Sequence, residues 1–331
     1  MTELFIIGAT GYIGGDTFYA ISQAHPEYDI TAMVRSTAKG ALVTAQYPKV
    51  RLVYGDLDSI DLIEEEASKA DIVFQWANAD HLEGINAIVR GIKKSSTPTF
   101  FIHTSGAAVL LIDHWQKQIA FGSPSDKIFN DWDGIQELHD LPDAAPHKIT
   151  EKAVQGSSDE SSVFTAILPE LARATLERGH GILVGEGKNI WSAVHVADLS
   201  DVFLKLAEAA VQGGGRATWG TDGYYFAENG EVEWGLVSRA VVKEALKNGW
   251  IAKGEDGMET ITTEEEGNKV APFGAHLLGD NSRAKAVRAR KLLEWEPKNA
   301  SIWEDIEGAV EYEAERLGLA KKHADRVAGK A

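Results

Sequence analysis

Residues 4–14 read Leu4-Phe5-Ile6-Ile7-Gly8-Ala9-Thr10-Gly11-Tyr12-Ile13-Gly14. Four consecutive apolar residues predict a short strand buried on both faces. The glycines that follow are spaced G-x-x-G-x-x-G, and a helix is expected from about Gly14 to Ala24. A glycine turn between a buried strand and a helix suits a dinucleotide. Glycine lets the turn close and lets a pyrophosphate approach the backbone, while the helix N-terminus offers free N–H groups and a partial positive charge. The stretch therefore predicts a nicotinamide dinucleotide bound through Gly8, Thr10, Gly11, Tyr12, Ile13 and Gly14.

Outward from this turn the chain alternates. Strand-like segments are expected at 29–35, 50–54, 71–76 and 99–103, with helices at 59–69 and 82–94. Repeated strand–helix units argue for an α/β fold, a Rossmann-type doubly wound parallel sheet. Residues 110–146, rich in Asp, Trp and His, read as an excursion over the sheet edge. Pro146 suits the first position of a helix reaching about Gln155. A sixth strand is expected at 162–168, a helix at 170–179, and a seventh strand at 224–226. Residues 189–196 lead into a helix capped by Asp198. From Val232 onward the pattern is mostly helical and amphipathic, as in a smaller C-terminal substrate lobe. The expected division assigns residues 1–168 and 190–230 to the nucleotide-binding domain, and 169–189 and 231–331 to the lobe.

Composition narrows the function classes. With 44% hydrophobic and 25% charged residues, the chain reads as an ordinary soluble globular protein. A formal net charge of −17 repels phosphate backbones and anionic lipid, so neither nucleic acid nor a membrane is expected as partner. The one basic stretch, Arg283 to Lys291, reads as the solvated face of a helix. With no cysteine, disulfides, thiolate metal sites and cysteine nucleophiles are excluded. The histidines show no metal-ligand spacing on one helix face, so no metal is expected. A strand starting at Leu4 leaves no room for a leader, and no apolar run has membrane-spanning length. A cytoplasmic protein acting on a small-molecule substrate is the expectation. Oligomeric state is not legible.

The remaining strand ends refine the cofactor. The end of the second strand, where NAD binders usually carry an acid, holds Arg35, with Lys39 nearby. Arg35 suits a 2′-phosphate, so NADP(H) is the preferred cofactor and NAD(H) the alternative. Asp56 and Leu57 close the third strand, where a carboxylate can accept from the adenine amino group. Ala77 closes the fourth and leaves room for a ribose.

Gly8 to Gly14, Gly55-Asp56-Leu57, His103-Thr104-Ser105 and Val194-His195-Val196-Ala197-Asp198-Leu199 together resemble an extended or atypical short-chain dehydrogenase/reductase. The nearer likeness is to epimerase/dehydratase-like and NmrA-like members. It spans nearly the whole chain, including Asn281-Ser282-Arg283 and the segment Lys291 to Lys298. The resemblance implies a catalytic Ser, Tyr and Lys, and Ser105 fits the serine. None of the eight tyrosines has a lysine four residues on. On the helix expected from Pro146, residues four apart share a face, which pairs Lys148 with Lys152 and His147 with Glu151. Lys152 then takes the family lysine's place on the nicotinamide ribose. Lys148, its pKa depressed by another ammonium, or His147, oriented by Glu151, replaces the tyrosine as acid/base. Related proteins carry a long loop after the sixth strand, whereas here Leu168-Pro169 runs directly into Glu170-Leu171.

Other candidates have plainer readings. His195 and Asp198 suit a satisfied buried histidine and a helix cap. Trp115 and Trp132 suit either an aromatic pocket or core packing. Without a G-x-S-x-G elbow, Ser105 is not an acyl nucleophile. Two functions remain. One is an NADP(H)-dependent reductase, dehydrogenase or epimerase on a small carbonyl or hydroxyl compound. The other is a non-catalytic dinucleotide-binding regulator resembling NmrA-like redox sensors, favoured by the missing tyrosine and the contracted loop.

Overall fold

The computed structural model describes residues 1–155, 160–163, 168–252, 254 and 257–320. The N-terminal half runs β1 (Glu3–Ile7), α1 (Tyr12–Ala24), β2 (Asp29–Val34), α2 (Thr37–Gln46), β3 (Arg51–Tyr54), α3 (Ile60–Ala67), β4 (Ile72–Gln75), α4 (Leu82–Lys94) and β5 (Phe100–Thr104). The excursion holds α5 (Ile112–Gln116), β6 (Phe129–Asn130) and α6 (Ile135–His139), and leads to α7 (Lys148–Gln155) and β7 (Glu160–Val163). Then come α8 (Leu168–Arg178), β8 (Ile182–Val184), β9 (Ile190–Ser192), α9 (Val196–Val211), β10 (Glu231–Glu233) and α10 (Trp234–Lys247). The chain closes with β11 (Glu259–Ile261), α11 (Glu264–Asn268), α12 (Gly274–Gly279), β12 (Ala284–Lys285), α13 (Arg288–Leu292) and α14 (Ile302–Arg316).

The main sheet has the order β3-β2-β1-β4-β5-β7, with every pair parallel. This is the doubly wound Rossmann arrangement that the alternation predicts. Its strand order reverses between β1 and β4, which opens a crevice at their carboxyl ends. The period-2 alternation of strands divides the apolar run between two cores. Leu4 and Ile6 pack on one face with Phe18 and Ile21 of α1 and Phe203 and Leu206 of α9. Phe5 and Ile7 pack on the other with Ile63 of α3, Ile85 and Ile88 of α4, and Val154 of α7. A further core joins Leu171 of α8, Val237 and Val241 of α10, and Ile306 and Val310 of α14 around Ile182, Val184 and Trp191. Among the described residues no helix is long and apolar enough to cross a membrane.

Several local expectations are corrected. The sixth sheet strand lies at Glu160–Val163 rather than 162–168, and residues 164–167 of that expectation lie outside the described residues. Residues 224–226 form no named strand. Their apolar side chains are buried, and the Phe226 N–H is satisfied by the Asp131 carboxylate at 2.8 Å instead of by a ladder. Helix α7 starts at Lys148, not Pro146, because His147 sits at φ 65°, a left-handed conformation no helix can continue through. Helix α9 is capped by His195, whose Nδ1 accepts from the Ala197 N–H at 3.1 Å. Asp198 instead receives the C-terminal segment: its carboxylate accepts from Lys298 N, Asn299 N and Asn299 Nδ2, and its carbonyl from Trp295 Nε1. The basic stretch is not a solvated face. Arg283 is bidentate to Glu231, Arg290 pairs with Glu228, and buried Arg288 donates to the Asp131 carbonyl and the Thr218 hydroxyl.

Asp198 is the most concentrated of these staples, and it is buried. Asp198→Ala is expected to leave several partly buried donors of residues 298–299 without their acceptor and destabilise the fold by about 1–3 kcal/mol. Urea unfolding should show a lower midpoint at unchanged slope, with Asp198→Asn intermediate. A loss below about 0.5 kcal/mol would contradict the assignment.

Candidate cofactor and active site

The glycines of the turn are required for different reasons. Gly8 lies at φ 100°, and a Cβ there would stand 2.7 Å from the Trp76 carbonyl carbon and 2.8 Å from the Ala77 nitrogen. At Gly14 a Cβ would stand 2.3 Å from the Gly8 carbonyl oxygen. Both positions hold the turn and α1 tightly against the end of β4. At Gly11 a Cβ would meet only the Gly8 carbonyl oxygen, at 3.4 Å. The fold therefore has room for a methyl group at Gly11, an open cradle of the kind that would suit a pyrophosphate. Helix α1 reinforces it. Its N-cap, Gly11, supplies no side-chain cap and its first turn carries no acid, so its orphan N–H groups and positive end remain for an anion. Thr10, Gly11 and Tyr12 are exposed, and Ile13 is half-buried.

The other predicted cofactor residues lie at the carboxyl ends of neighbouring strands. Arg35 follows β2, is exposed, and has no ion pair among the described residues. Asp56 follows β3, is exposed, and uses Oδ1 to hold the Asp58 N–H and the Ser59 hydroxyl, each at 3.1 Å. Leu57 is half-buried beside it. Ala77 follows β4 and is exposed, and its N–H donates to Gln75 Oε1 at 2.9 Å. Buried Gln75 also donates to the Asn78 carbonyl at 2.8 Å, which shapes this loop from below.

The expected acid/base constellation is arranged differently from the helical-face argument. Ser105 is buried, and its hydroxyl donates to Glu151 Oε1 at 2.5 Å. The Tyr224 hydroxyl donates to the other oxygen, Oε2, at 2.5 Å. Lys148 is fully buried beside them, donating to the Leu138 carbonyl at 2.7 Å and to the Tyr224 oxygen at 3.3 Å, and lying 3.8 Å from Glu151 Oε2. Ser105 thus points into the core, and Lys148 pairs with Glu151 three residues on rather than with Lys152. Lys152 is half exposed and bonded to Asp143. His147 is not oriented by Glu151. Its left-handed backbone turns the ring off the helix face, and Nδ1 meets the Asp80 carboxylate at 2.7 Å. Its Nε2 lies over Gly106, where a Cβ would be 2.3 Å away. Asp80 and Tyr224 carry no sequence signal for this site, because only the fold brings them from 67 and 76 residues away.

The electrostatics follow from burial. Desolvation pushes the Lys148 ammonium down, while Glu151 opposes that shift. Burial and the Glu151 carboxylate push the Tyr224 phenol up, so it stays protonated as a donor and is not an activated acid. The hydrogen bond from His147 holds Asp80 below the usual carboxylate range. His103, fully buried on β5 with both ring nitrogens unpartnered among the described residues, is pushed down to about 3 by desolvation, then by the nearby His147.

Comparison with known proteins agrees with this fold. The model of the NmrA-like family matches residues 2–120. An Acremonium protein named oxidase ucsJ is 38% identical, over 96% of this chain and 99% of its own length. An uncharacterized protein of Saccharomyces cerevisiae is 23% identical over 92% of this chain and 97% of its own. Among solved structures, a Bacillus anthracis dTDP-glucose 4,6-dehydratase in complex with NAD superposes with a TM-score of 0.68 at 13% identity, covering 97% of this chain and 99% of that one. A Campylobacter jejuni UDP-Glc/GlcNAc 4-epimerase gives 0.65 at 13%, covering 95% and 100%. At such identities these two show a shared fold.

Two outcomes test the site. Gly11→Ala is expected to leave thermal stability within about 1 kcal/mol of the parent while abolishing dinucleotide binding, read by NADPH fluorescence. Gly14→Ala should instead lower the melting temperature, because the added methyl meets the Gly8 carbonyl. Equal cofactor affinity in Gly11→Ala would overturn the cradle. The second outcome concerns His103, whose folded pKa is depressed. Its neutral form stabilises the fold fully above the unfolded value of about 6.5, and that contribution is lost as pH falls from there towards about 3. His103→Phe should therefore flatten the decline in stability over that window, by roughly 4 kcal/mol at its acid end. An unchanged pH slope in denaturant unfolding would contradict this.

Proposed function

The chain belongs to the NmrA-like family of the short-chain dehydrogenase/reductase fold, and from that premise we propose that it is a nicotinamide-dinucleotide-dependent oxidoreductase acting on a small carbonyl or hydroxyl compound. The observation that carries the reading is the empty cradle at Gly11 before an uncapped, acid-free helix N-terminus. The oxidase name of the Acremonium relative supports the reaction class. Exposed Arg35 at the end of β2 supports a preference for NADP(H), since a guanidinium matches a 2′-phosphate and no carboxylate stands there for the ribose hydroxyls.

Gly8 to Gly14 would hold the pyrophosphate, Arg35 the 2′-phosphate, Asp56 and Leu57 the adenine, and Ala77 would admit a ribose. The bound dinucleotide supplies hydride chemistry. His147 is the acid/base group of this proposal. A carboxylate can only accept, so the bond to Asp80 places a proton on Nδ1 and fixes the orientation of the ring. Nε2 then gives a proton to the substrate oxygen in reduction and takes one in oxidation. Ser105 and Lys148, sealed in the core with Glu151, do not reach a substrate. Their part is to hold α7, and with it His147, against β5. Lys152, engaged by Asp143, has no contact that supports a role on the ribose.

The inward-turned Ser105 also favours the second reading, a non-catalytic dinucleotide-binding regulator. Turnover separates the two. On the enzyme reading, the protein oxidises NADPH with a panel of small aldehydes and ketones, and His147→Asn lowers kcat by about 10²–10⁴-fold without loss of cofactor binding. Lys152→Ala should change kcat little. Tight NADPH binding with no turnover on any of the panel, and no effect of His147→Asn, would install the regulator. Arg35→Ala should weaken NADPH about tenfold or more, from the loss of roughly 1.5–3 kcal/mol, and leave NADH nearly unchanged. Equal affinities for both cofactors in the parent protein would refute the preference.

A further inference from the structure

A second histidine–carboxylate pair lies outside the site described above. Asp280 follows α12 and is fully buried. Its Oδ2 accepts from Trp115 Nε1 at 2.7 Å and bonds His276 Nδ1 at 2.6 Å. His114 Nε2 stands 3.1 Å from Oδ1 without an aligned hydrogen bond. Among the described residues no three such side chains are disposed to hold a metal ion, so the group works by hydrogen bonding. Trp115 Nε1 also lies 3.1 Å from His276 Nδ1, but its proton goes to the shorter 2.7 Å bond to Oδ2, and because a carboxylate only accepts, the proton of the 2.6 Å His276 bond sits on Nδ1. Nε2 has no partner among the described residues and is not among the buried unpaired atoms. One ring nitrogen is thus anchored inward and the other is left open.

Aromatic rings surround it. The His276 ring centroid lies 5.1 Å from Trp115, 5.2 Å from Phe121 and 4.6 Å from Phe273. All four residues are only partly buried, while Ala275 and Leu278 beside them are buried. Phe273 is held at φ 63°, a costly conformation for a bulky residue, which commits its ring to this cluster. A short stretch of chain links the cluster to the residue on which His147 rests. The His147 ring rests on Gly106, the next residue's carbonyl accepts from the Ser282 hydroxyl at 2.8 Å, and Ser282 lies two residues beyond Asp280. Residues 106–115 therefore connect the two pairs at the carboxyl end of β5.

We propose that His276 with Trp115, Phe121 and Phe273 forms a binding site for a flat conjugated ring bearing one hydroxyl group. The uncovered parts of these half-buried rings take a flat apolar body, and the open His276 Nε2 accepts from its hydroxyl. As an identification of substrate class this rests on the oxidoreductase reading, but ligand binding can be measured without turnover.

The probe is 2-naphthol, with trans-2-decalol as its saturated counterpart, titrated calorimetrically into the full-length protein with and without NADP+. The aromatic alcohol should bind about tenfold tighter or more, and His276→Gln, which keeps a donor for Asp280, should remove about that factor. Phe273→Gly relieves the left-handed strain, so it folds, and should weaken 2-naphthol to a similar extent. Equal binding of the two alcohols, or unchanged 2-naphthol affinity in folded His276→Gln and Phe273→Gly, would overturn the proposal. Retained 2-naphthol binding alongside absent NADPH binding would sink the cofactor reading alone and leave this site standing.

Discussion

Where a methyl group on Gly14 would stand, 2.3 Å away, lies the carbonyl oxygen of Gly8, and Gly8 in turn presses on the Trp76–Ala77 backbone. This contact chain sets how closely α1 approaches the sheet, and so where its N-terminus points. The strand order reverses at the same place, between β1 and β4. The crevice, the free N–H groups and the positive helix end therefore coincide as a consequence of backbone packing. Gly11 packs against almost nothing, so the space in front of it stays open.

A second constraint is the buried carboxylate of Glu151. Burying a charge is costly unless its oxygens are satisfied. Here Ser105, just past the end of β5, and Tyr224 from a distant segment supply one hydroxyl each, with the Lys148 ammonium beside them. This ties α7 to the sheet and to residues 224–226. It also explains how a chain without a Tyr-x-x-x-Lys motif still brings a tyrosine and a lysine to 3.3 Å. That pair is not the family's activated pair. Its phenol is pushed up rather than down and it lies in the core.

Buried aspartates join the C-terminal segments to the sheet domain. Asp131 accepts from the backbone of Phe226, Val287 and Arg288, Asp198 holds residues 298–299, and Asp280 gathers Trp115 and His276. Asp131 and Asp198 replace missing ladder partners in loop-rich regions with charge-assisted hydrogen bonds to backbone N–H groups, whereas Asp280 holds side chains. A chain of net charge −17 thus places some of its acidic groups as internal connectors.

The local rules of the backbone were enough for the nucleotide-binding half. The run Leu4 to Ile7, the spacing of Gly8, Gly11 and Gly14, and the placement of Arg35, Asp56 and Ala77 at strand ends depend on neighbours in sequence, and periodicity reports neighbours. The helix-face argument failed at His147 because one left-handed residue moved the helix start to Lys148 and turned the imidazole towards Asp80. The strand expected at 224–226 failed because a carboxylate 95 residues away replaced its ladder partner. Asp80 against His147, Tyr224 against Glu151 and His276 against Trp115 are contacts between elements distant in the chain. Sequence by itself determined the fold and which residues stand at the strand ends, because those are written in local spacing. Only tertiary structure decided which histidine is oriented and which serine is sealed away, because those depend on which distant side chains fill the space around each one.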